Sequence, residues 1–236
     1  GRASPFVPRQ APAPLTAQQI EGVDIVLLTH GHRDHFDASS LASLANHNPD
    51  ALFVTPVGLN KALPGSCKRK LEVDWWDHFT VRGVRFTHTP SQHWHQRTPF
   101  DRNKALWGGW HLHGAHTLYH MGDSGYFEGF KTVAHVLETP DVMMLPMGAY
   151  EPRWFMGPQH MDPAGALQSW KDVGATWGIP MHWGTFDLSN EPLDAGPKEF
   201  RELLAEDPAG EQLAKHFHEL PHGGVASWKN KELLSR

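Results

Sequence analysis

Apolar residues along this chain recur in two spacings, and the two divide it into short strands and intervening helices. Val23-Asp24-Ile25-Val26-Leu27-Leu28 is too short for a helix and nearly continuous in apolar character, so it predicts a strand buried on both faces that ends abruptly at Thr29-His30-Gly31-His32. Asp37 then stands where a helix N-cap belongs, ahead of Leu41, Leu44 and Ala45, and Asn48-Pro49 stops that helix. Leu52-Phe53-Val54 and Leu71 to Trp76 predict strands, with a short helix over Pro56 to Leu63 between them. Val81 to Thr89 alternates and predicts one arm of an antiparallel pair. Ala105 to Trp110 and Thr117 to Met121 predict a hairpin turning around His113-Gly114-Ala115 and stopping at Gly122-Asp123.

The second half repeats the alternation. Tyr126 to Val136 predicts a helix, Val142 to Pro146 a strand, and Pro163 to Val173 a helix capped by Asp162 with proline in its first turn. Thr176 to Met181 predicts a strand ending at His182, and Pro197 to Leu213 a mostly helical stretch with one polar face. Residues 1–16 are Pro-rich without periodicity, an extended lead-in. Strands with interleaved helices, no internal repeat and no low-complexity linker predict a sheet-centred α/β sandwich, one domain over residues 1–236 with one continuous core.

Composition narrows the function classes. A net charge of −5 provides no basic field to hold phosphates, which argues against a nucleic-acid partner. The single cysteine, Cys67, excludes an intramolecular disulfide framework and any Cys-rich zinc module. The longest apolar run is far too short to span a bilayer. Histidine (18) and tryptophan (10) are abundant, and these side chains ligate metals and line lipid-like pockets.

The sharpest chemical signal is His30-x-His32-x-Asp34-His35, four potential ligands within six residues directly after a buried strand. Histidines two apart can point the same way, and Asp34 with His35 turn the corner towards an adjacent position. Imidazole and carboxylate ligands of this kind suit zinc with a coordination position left open for water. Further ligand types close other strands: His93 follows the strand through His88, Asp123 follows Leu118 to Met121, and His182 follows Ile179 to Met181. Sites collect at the edge of a sheet where strands terminate.

The run His30-Gly31-His32-Arg33-Asp34-His35 with later separate His, Asp and His resembles the metallo-β-lactamase superfamily. Within it, Ser91-Gln92-His93-Trp94, Asn103 to Gly108, Gly122-Asp123-Ser124-Gly125-Tyr126, Gly148 to Met156 and His182-Trp183-Gly184-Thr185-Phe186 are similar to the N-acylphosphatidylethanolamine-hydrolysing phospholipase D family, from about Arg2 to His222. The resemblance implies an αβ/βα sandwich and two zinc ions. The first would take His30, His32 and His93, the second Asp34, His35 and His182, and Asp123 would bridge them. Members of that family carry strands before the segment that matches Arg2 to Phe6, so the first N-terminal strands are expected to be missing here, at a cost in unpaired edge backbone.

The implied activity is hydrolysis of a phospholipid phosphodiester to an N-acylethanolamine and a phosphatidic acid, with two metals lowering the pKa of shared water. Asp123 would orient the metal pair, Asp34 would also hold the nucleophile's proton, and His160 either meets the phosphate or protonates the leaving alkoxide, or merely caps the helix after it. Gln159, Tyr150, Arg153 and Trp154 are the expected substrate-binding residues, although Arg153 is equally placed to pair with Glu151. His95, His111, His113, His116 and His120 match no metal position and read as exposed or packed side chains. A zinc-dependent lactonase or ester hydrolase of the same fold is the alternative, because activated water serves carbonyls equally well. A non-catalytic binding domain would show lost ligands, and none is lost. A phospholipid substrate brings with it peripheral membrane contact, a cytoplasmic or membrane-peripheral location, and a homodimer as the assembly that would enlarge the groove.

Overall fold

The computed structural model of the protein describes residues 2–4, 7–229 and 232–235. Its strands are β1 (Arg2–Ser4), β2 (Val7–Pro8), β3 (Ile25–Leu27), β4 (Leu52–Pro56), β5 (Arg69–Val73), β6 (His78–Val81), β7 (Val84–Thr89), β8 (Gly109–His113), β9 (Thr117–His120), β10 (Val142–Pro146), β11 (Trp177–Met181), β12 (Ala226–Lys229) and β13 (Glu232–Ser235). Its helices are α1 (Ala38–His47), α2 (Gly129–Val136), α3 (Arg153–Met156), α4 (Pro163–Val173), α5 (Ala195–Glu206) and α6 (Gly210–Ala214). Pro5 and Phe6, the end of the Arg2 to Phe6 segment, lie outside the described residues.

Two sheets form the centre. One is a parallel three-stranded sheet in the order β3-β4-β5, the other a six-stranded sheet in the order β11-β10-β9-β8-β7-β6. Side chains alternate across each strand, so Leu52 and Val54 of β4 face the second sheet, packing with Phe86 and Trp110, while Phe53 between them turns to α1 and packs with Leu41 and Ala45. On the far side, Tyr119, Met143 and Leu145 meet Phe130 of α2, Trp170 of α4 and Phe200 of α5. The result is a layered αββα sandwich.

Most boundaries follow the sequence pattern, and the departures have local causes. Val81 to Thr89 is not one arm but the end of β6, a turn, and β7, because Arg82 and Gly83 both take positive φ (48° and 80°) and close a two-residue hairpin pairing Val81 with Val84. The helix expected over Pro56 to Leu63 shrinks to a single 3-10 turn at Asn60–Ala62. Ala105 to Gly108 precedes β8 without joining it, and the Pro197 to Leu213 stretch divides into α5 and α6 at Asp207-Pro208. α4 forms with the expected bounds, its first turn capped by the Asp162 side chain on Gly165 N–H (2.8 Å).

The topology also fixes where chemistry can gather. β7 and β8 are antiparallel, as are β8 and β9, and β9, β10 and β11 are parallel, so β7, β9, β10 and β11 all run in one direction. Their C-terminal ends form one rim of the large sheet, where loops are free to carry ligands.

Candidate metal centre and cleft

His93, Asp123 and His182 follow β7, β9 and β11 onto that rim. The loop after β3 arrives from the other sheet and adds His30, His32, Asp34 and His35. Several contacts hold these loops together. Gly108 N–H donates to Thr29 O at 3.0 Å and the Trp110 indole to Leu28 O at 3.1 Å, which extends β3 across to the second sheet. Gln92 N–H donates to Ser124 Oγ and Gly125 N–H to Gln92 O, both at 2.9 Å, locking the His93 loop to the Asp123 loop. The Arg97 guanidinium lies 4.3 Å from the Phe36 ring centroid and donates to Gly31 O and Phe36 O, clasping both ends of the histidine loop. Gly31 has to be glycine, since a Cβ would fall 2.2 Å from the His95 ring packed behind it.

His182 sits in left-handed backbone (φ 59°), an uncommon state for a side chain with a Cβ. The turn it makes brings its ring back over the end of β10, with Nδ1 3.3 Å from Gly148 O. A Cβ on Gly148 would fall 2.0 Å from the backbone oxygen of His182, so position 148 has room only for glycine.

Two groups of ligand atoms result. His30 Nε2 and His93 Nε2 lie 3.1 and 3.0 Å from His32 Nδ1. Beside them, Asp123 Oδ2 lies 3.0 Å from His35 Nε2 and 3.2 Å from His182 Nε2, while Asp34 Oδ2 lies 3.2 Å from His35 Nε2 and 3.7 Å from His182 Nε2. Asp123 joins the groups: the same Oδ2 is 3.7 Å from His30 Nε2 and 3.8 Å from His93 Nε2. All seven residues expected as ligands are thus brought together, in the two sets that the resemblance implies.

The donor set fits metal ions. The Asp123 carboxylate is buried, yet neither oxygen accepts a hydrogen bond, and His35 Nε2 is likewise buried without a hydrogen-bond partner. Unpaired buried polar atoms are costly, and a cation among them satisfies them together. The outer edges of the rings are supported. His93 Nδ1 lies 2.8 Å from Gln159 O, a carbonyl that can only accept, so the ring proton sits on Nδ1 and the Nε2 lone pair faces inward. Thr29 Oγ1 lies 3.0 Å from His30 Nδ1.

Electrostatics run the same way. Burial pushes the Asp123 carboxyl up, but His182 and His35 outweigh it and hold the group well below the usual carboxylate range. Asp34 is held down against its own burial by the same two rings. Burial lowers His93 to about 3, keeping it neutral, the form that ligates. Against their burial, Asp123 and Asp34 raise His35 to about 9 and His182 well above the usual imidazole range, so these two rings hold protons that a bound cation would displace. The buried carboxylate pair therefore stays anionic and draws positive charge to this point.

His160, expected in a catalytic role, stands against both groups, its ring centroid 5.1 Å from that of His93 and 5.5 Å from that of His182. Burial lowers it to about 4. Gln159 reaches the site through its carbonyl. The remaining expected substrate-binding residues are placed elsewhere. Tyr150 is buried, with its hydroxyl 3.1 Å from a Glu199 oxygen, and Arg153 is surrounded by the carboxylates of Glu151, Asp162 and Glu199, which leaves its charge already matched. Trp154 is 83% exposed, on the one-turn helix α3.

A cleft of about 300 Å³ opens instead beside the Asp34 group. Met144, Met147, Met181, Phe186 and Leu193 supply its apolar lining, and His120 and Arg9 are its additional polar residues of note. His120 Nδ1 accepts Gly122 N–H at 3.1 Å, which places the proton of the neutral ring on Nε2. Met144 lies within β10, Met147 just beyond its end and Met181 at the end of β11, so this lining follows the two strands up to the rim.

Comparison with known proteins agrees with this geometry. A family model described as a beta-lactamase superfamily domain matches residues 2–183. The chain is 34% identical over 206 residues to the mitochondrial N-acyl-phosphatidylethanolamine-hydrolyzing phospholipase D of Saccharomyces cerevisiae, covering 84% of this chain and 43% of that protein. It is 32% identical over 209 residues to N-acyl-phosphatidylethanolamine-hydrolyzing phospholipase D 1 of Caenorhabditis elegans, covering 83% and 59%. The chain therefore spans about half the length of these relatives. In three dimensions it is similar to Igni18, a metallo hydrolase from Ignicoccus hospitalis, with a TM-score of 0.65 at 21% identity over 90% of this chain and 79% of that one. The chain belongs to the beta-lactamase superfamily and has the fold of its metal-dependent hydrolases.

Proposed function

We propose that this protein is a two-metal phosphodiesterase that hydrolyses a phospholipid of the N-acylphosphatidylethanolamine class, releasing an N-acylethanolamine and a phosphatidic acid. The observation that carries this reading is Asp123, one buried carboxylate shared between a three-histidine group and an Asp-His-His group. Its relatives' names supply the substrate class. Zinc is the metal that the donor set of imidazoles and carboxylates favours.

His30, His32 and His93 would hold one ion, Asp34, His35 and His182 the other, with Asp123 between them. When bound, such a pair activates water near neutral pH and offsets charge that develops on phosphoryl oxygens. The chain's own residues do the rest. The apolar cleft receives part of an acyl chain and excludes water from the reacting phosphate. Water adds to phosphorus, the distal P–O bond breaks, and the departing alkoxide takes up a proton. We assign that transfer to His160, whose ring lies against both groups and, neutral at rest, takes up the proton that the attacking water loses and passes it to the alkoxide. Asp34 and Asp123 hold and orient the reacting centre. A lipid substrate also places this face at a membrane surface, and no helix among the described residues is long and apolar enough to cross one. Whether one chain or a homodimer meets that surface is read by sedimentation in the presence of vesicles.

The reading is tested by incubating the metal-loaded chain with N-acylated phosphatidylethanolamine and with a chromogenic phosphodiester, before and after chelation. It requires chelator-sensitive release of N-acylethanolamine together with phosphatidic acid. Metal-loaded protein inert on both diesters but active on a lactone would replace it with the lactonase reading.

A further inference from the structure

Arg9 is the one arginine or lysine among the residues that line the cleft. It lies in the Pro-rich lead-in and reaches the rim because that segment bridges to the strand-end loop after β11. Arg9 pairs with Phe186 through the backbone, and Gln10 N–H donates to Thr185 O at 2.8 Å. The side chain is half-buried and fixed by two contacts: Nε donates to Ala11 O at 3.1 Å, and the guanidinium carbon stands 5.3 Å from the Phe186 ring centroid. These contacts occupy Nε and one face of the guanidinium, and among the described residues neither terminal nitrogen has a hydrogen-bond partner.

Acidic partners are close at hand but do not take it. Asp187, next to Phe186 in the lining, is exposed and makes no ion pair with Arg9, and Glu191, also in the lining, is consumed by backbone, its oxygens accepting the N–H groups of Ala149, Tyr150 and Glu151 at 2.6, 3.2 and 3.0 Å. Arg153 lies on the same rim and is matched by three carboxylates, whereas among the described residues no carboxylate pairs with Arg9. A fixed, partly desolvated guanidinium without a counter-ion, facing a cleft that also holds Asp34, Asp123 and His182, is arranged for an anion that arrives from outside.

We propose that Arg9 binds an anionic oxygen of the substrate in this cleft and so selects charged phosphodiesters over neutral esters. The identity of the anion rests on the phosphodiesterase reading; the site itself does not. The test is equilibrium binding of dimethyl phosphate, a monoanionic diester, and trimethyl phosphate, its neutral counterpart, to the full metal-loaded chain and to the variants R9M and R9K. The expected result is that R9M weakens dimethyl phosphate by about tenfold or more, R9K by less, and neither changes the response to trimethyl phosphate. Should R9M not fold, R9K decides alone, by a loss confined to the anion. Wild-type affinity for dimethyl phosphate in R9M, equal loss of both probes, or no binding of dimethyl phosphate to the wild type would each overturn the assignment. Arg9-dependent binding without diester hydrolysis by the wild type would instead sink the phosphodiesterase reading and leave Arg9 in place.

Discussion

Single side chains around the ligands do more than fill space. Thr29 Oγ1 against His30 Nδ1 is the contact that orients the first ring of the histidine loop. Replacing Thr29 by the near-isosteric valine leaves that ring edge unpaired, and zinc affinity measured by competition with a chromophoric chelator should fall about 10- to 100-fold, with the melting temperature of the metal-free chain little changed. An unchanged affinity would remove Thr29 from the account. A second histidine acts through pH. His88 is fully buried against Trp110, Nδ1 donates to Asp74 O at 3.3 Å, and burial lowers the ring to about 4. The folded state refuses a proton that the unfolded state accepts below about 6.5, so stability is complete above that pH and is lost as pH falls towards 4. The loss attributable to His88 should reach roughly 3 kcal/mol at most. Denaturant midpoints between pH 4 and 7 should show a shallower slope in His88→Gln than in the wild type; parallel slopes would contradict the burial argument.

At the scale of elements, the chain's local signals were strongest where polar caps and apolar spacing coincide. α1 and α4 were legible because Asp37 and Asp162 announce them, and Asp37 indeed accepts from Ser39 N–H, Ser39 Oγ and Ser40 Oγ. Asp37→Ala should cost about 1 kcal/mol in chemical denaturation. Gly174, the left-handed residue that ends α4 with φ 74° and open space around it, gives a cleaner test: alanine there meets no neighbour, so any loss is backbone conformation, roughly 1 kcal/mol, with metal content unchanged. What stayed illegible lay where conformation depends on one uncommon backbone state or on a distant partner. The Arg82-Gly83 turn lacks the Asn-Gly signature that marks such hairpins, and so Val81 reads as part of the β7 strand and the rest of β6 is missed. Tyr150 and Arg153 attracted a substrate role from their motif, whereas Glu199, almost fifty residues on, claims both in the fold.

Across the whole molecule, the ligand set was readable because each member closes a hydrophobic strand, and parallel strands deliver their ends to one rim. The cleft was not, because its wall is assembled from Met144 within β10, Met147 just beyond it, Met181 at the end of β11, and Arg9 in a segment with no periodicity. The candidate metal centre also draws on both sheets, with His30 to His35 from one side and His93, Asp123 and His182 from the other. Metal binding should therefore stabilise the whole fold, and the melting temperature should rise with zinc and fall with chelator in proportion to occupancy. The central claim, two metal positions that share Asp123, is tested most directly by elemental analysis of the purified chain beside its Asp123→Asn variant. The account predicts about two zinc ions per wild-type chain and a clear deficit in the variant with the fold retained. A folded wild-type chain that binds no metal, or a variant as fully loaded as the wild type, would contradict it.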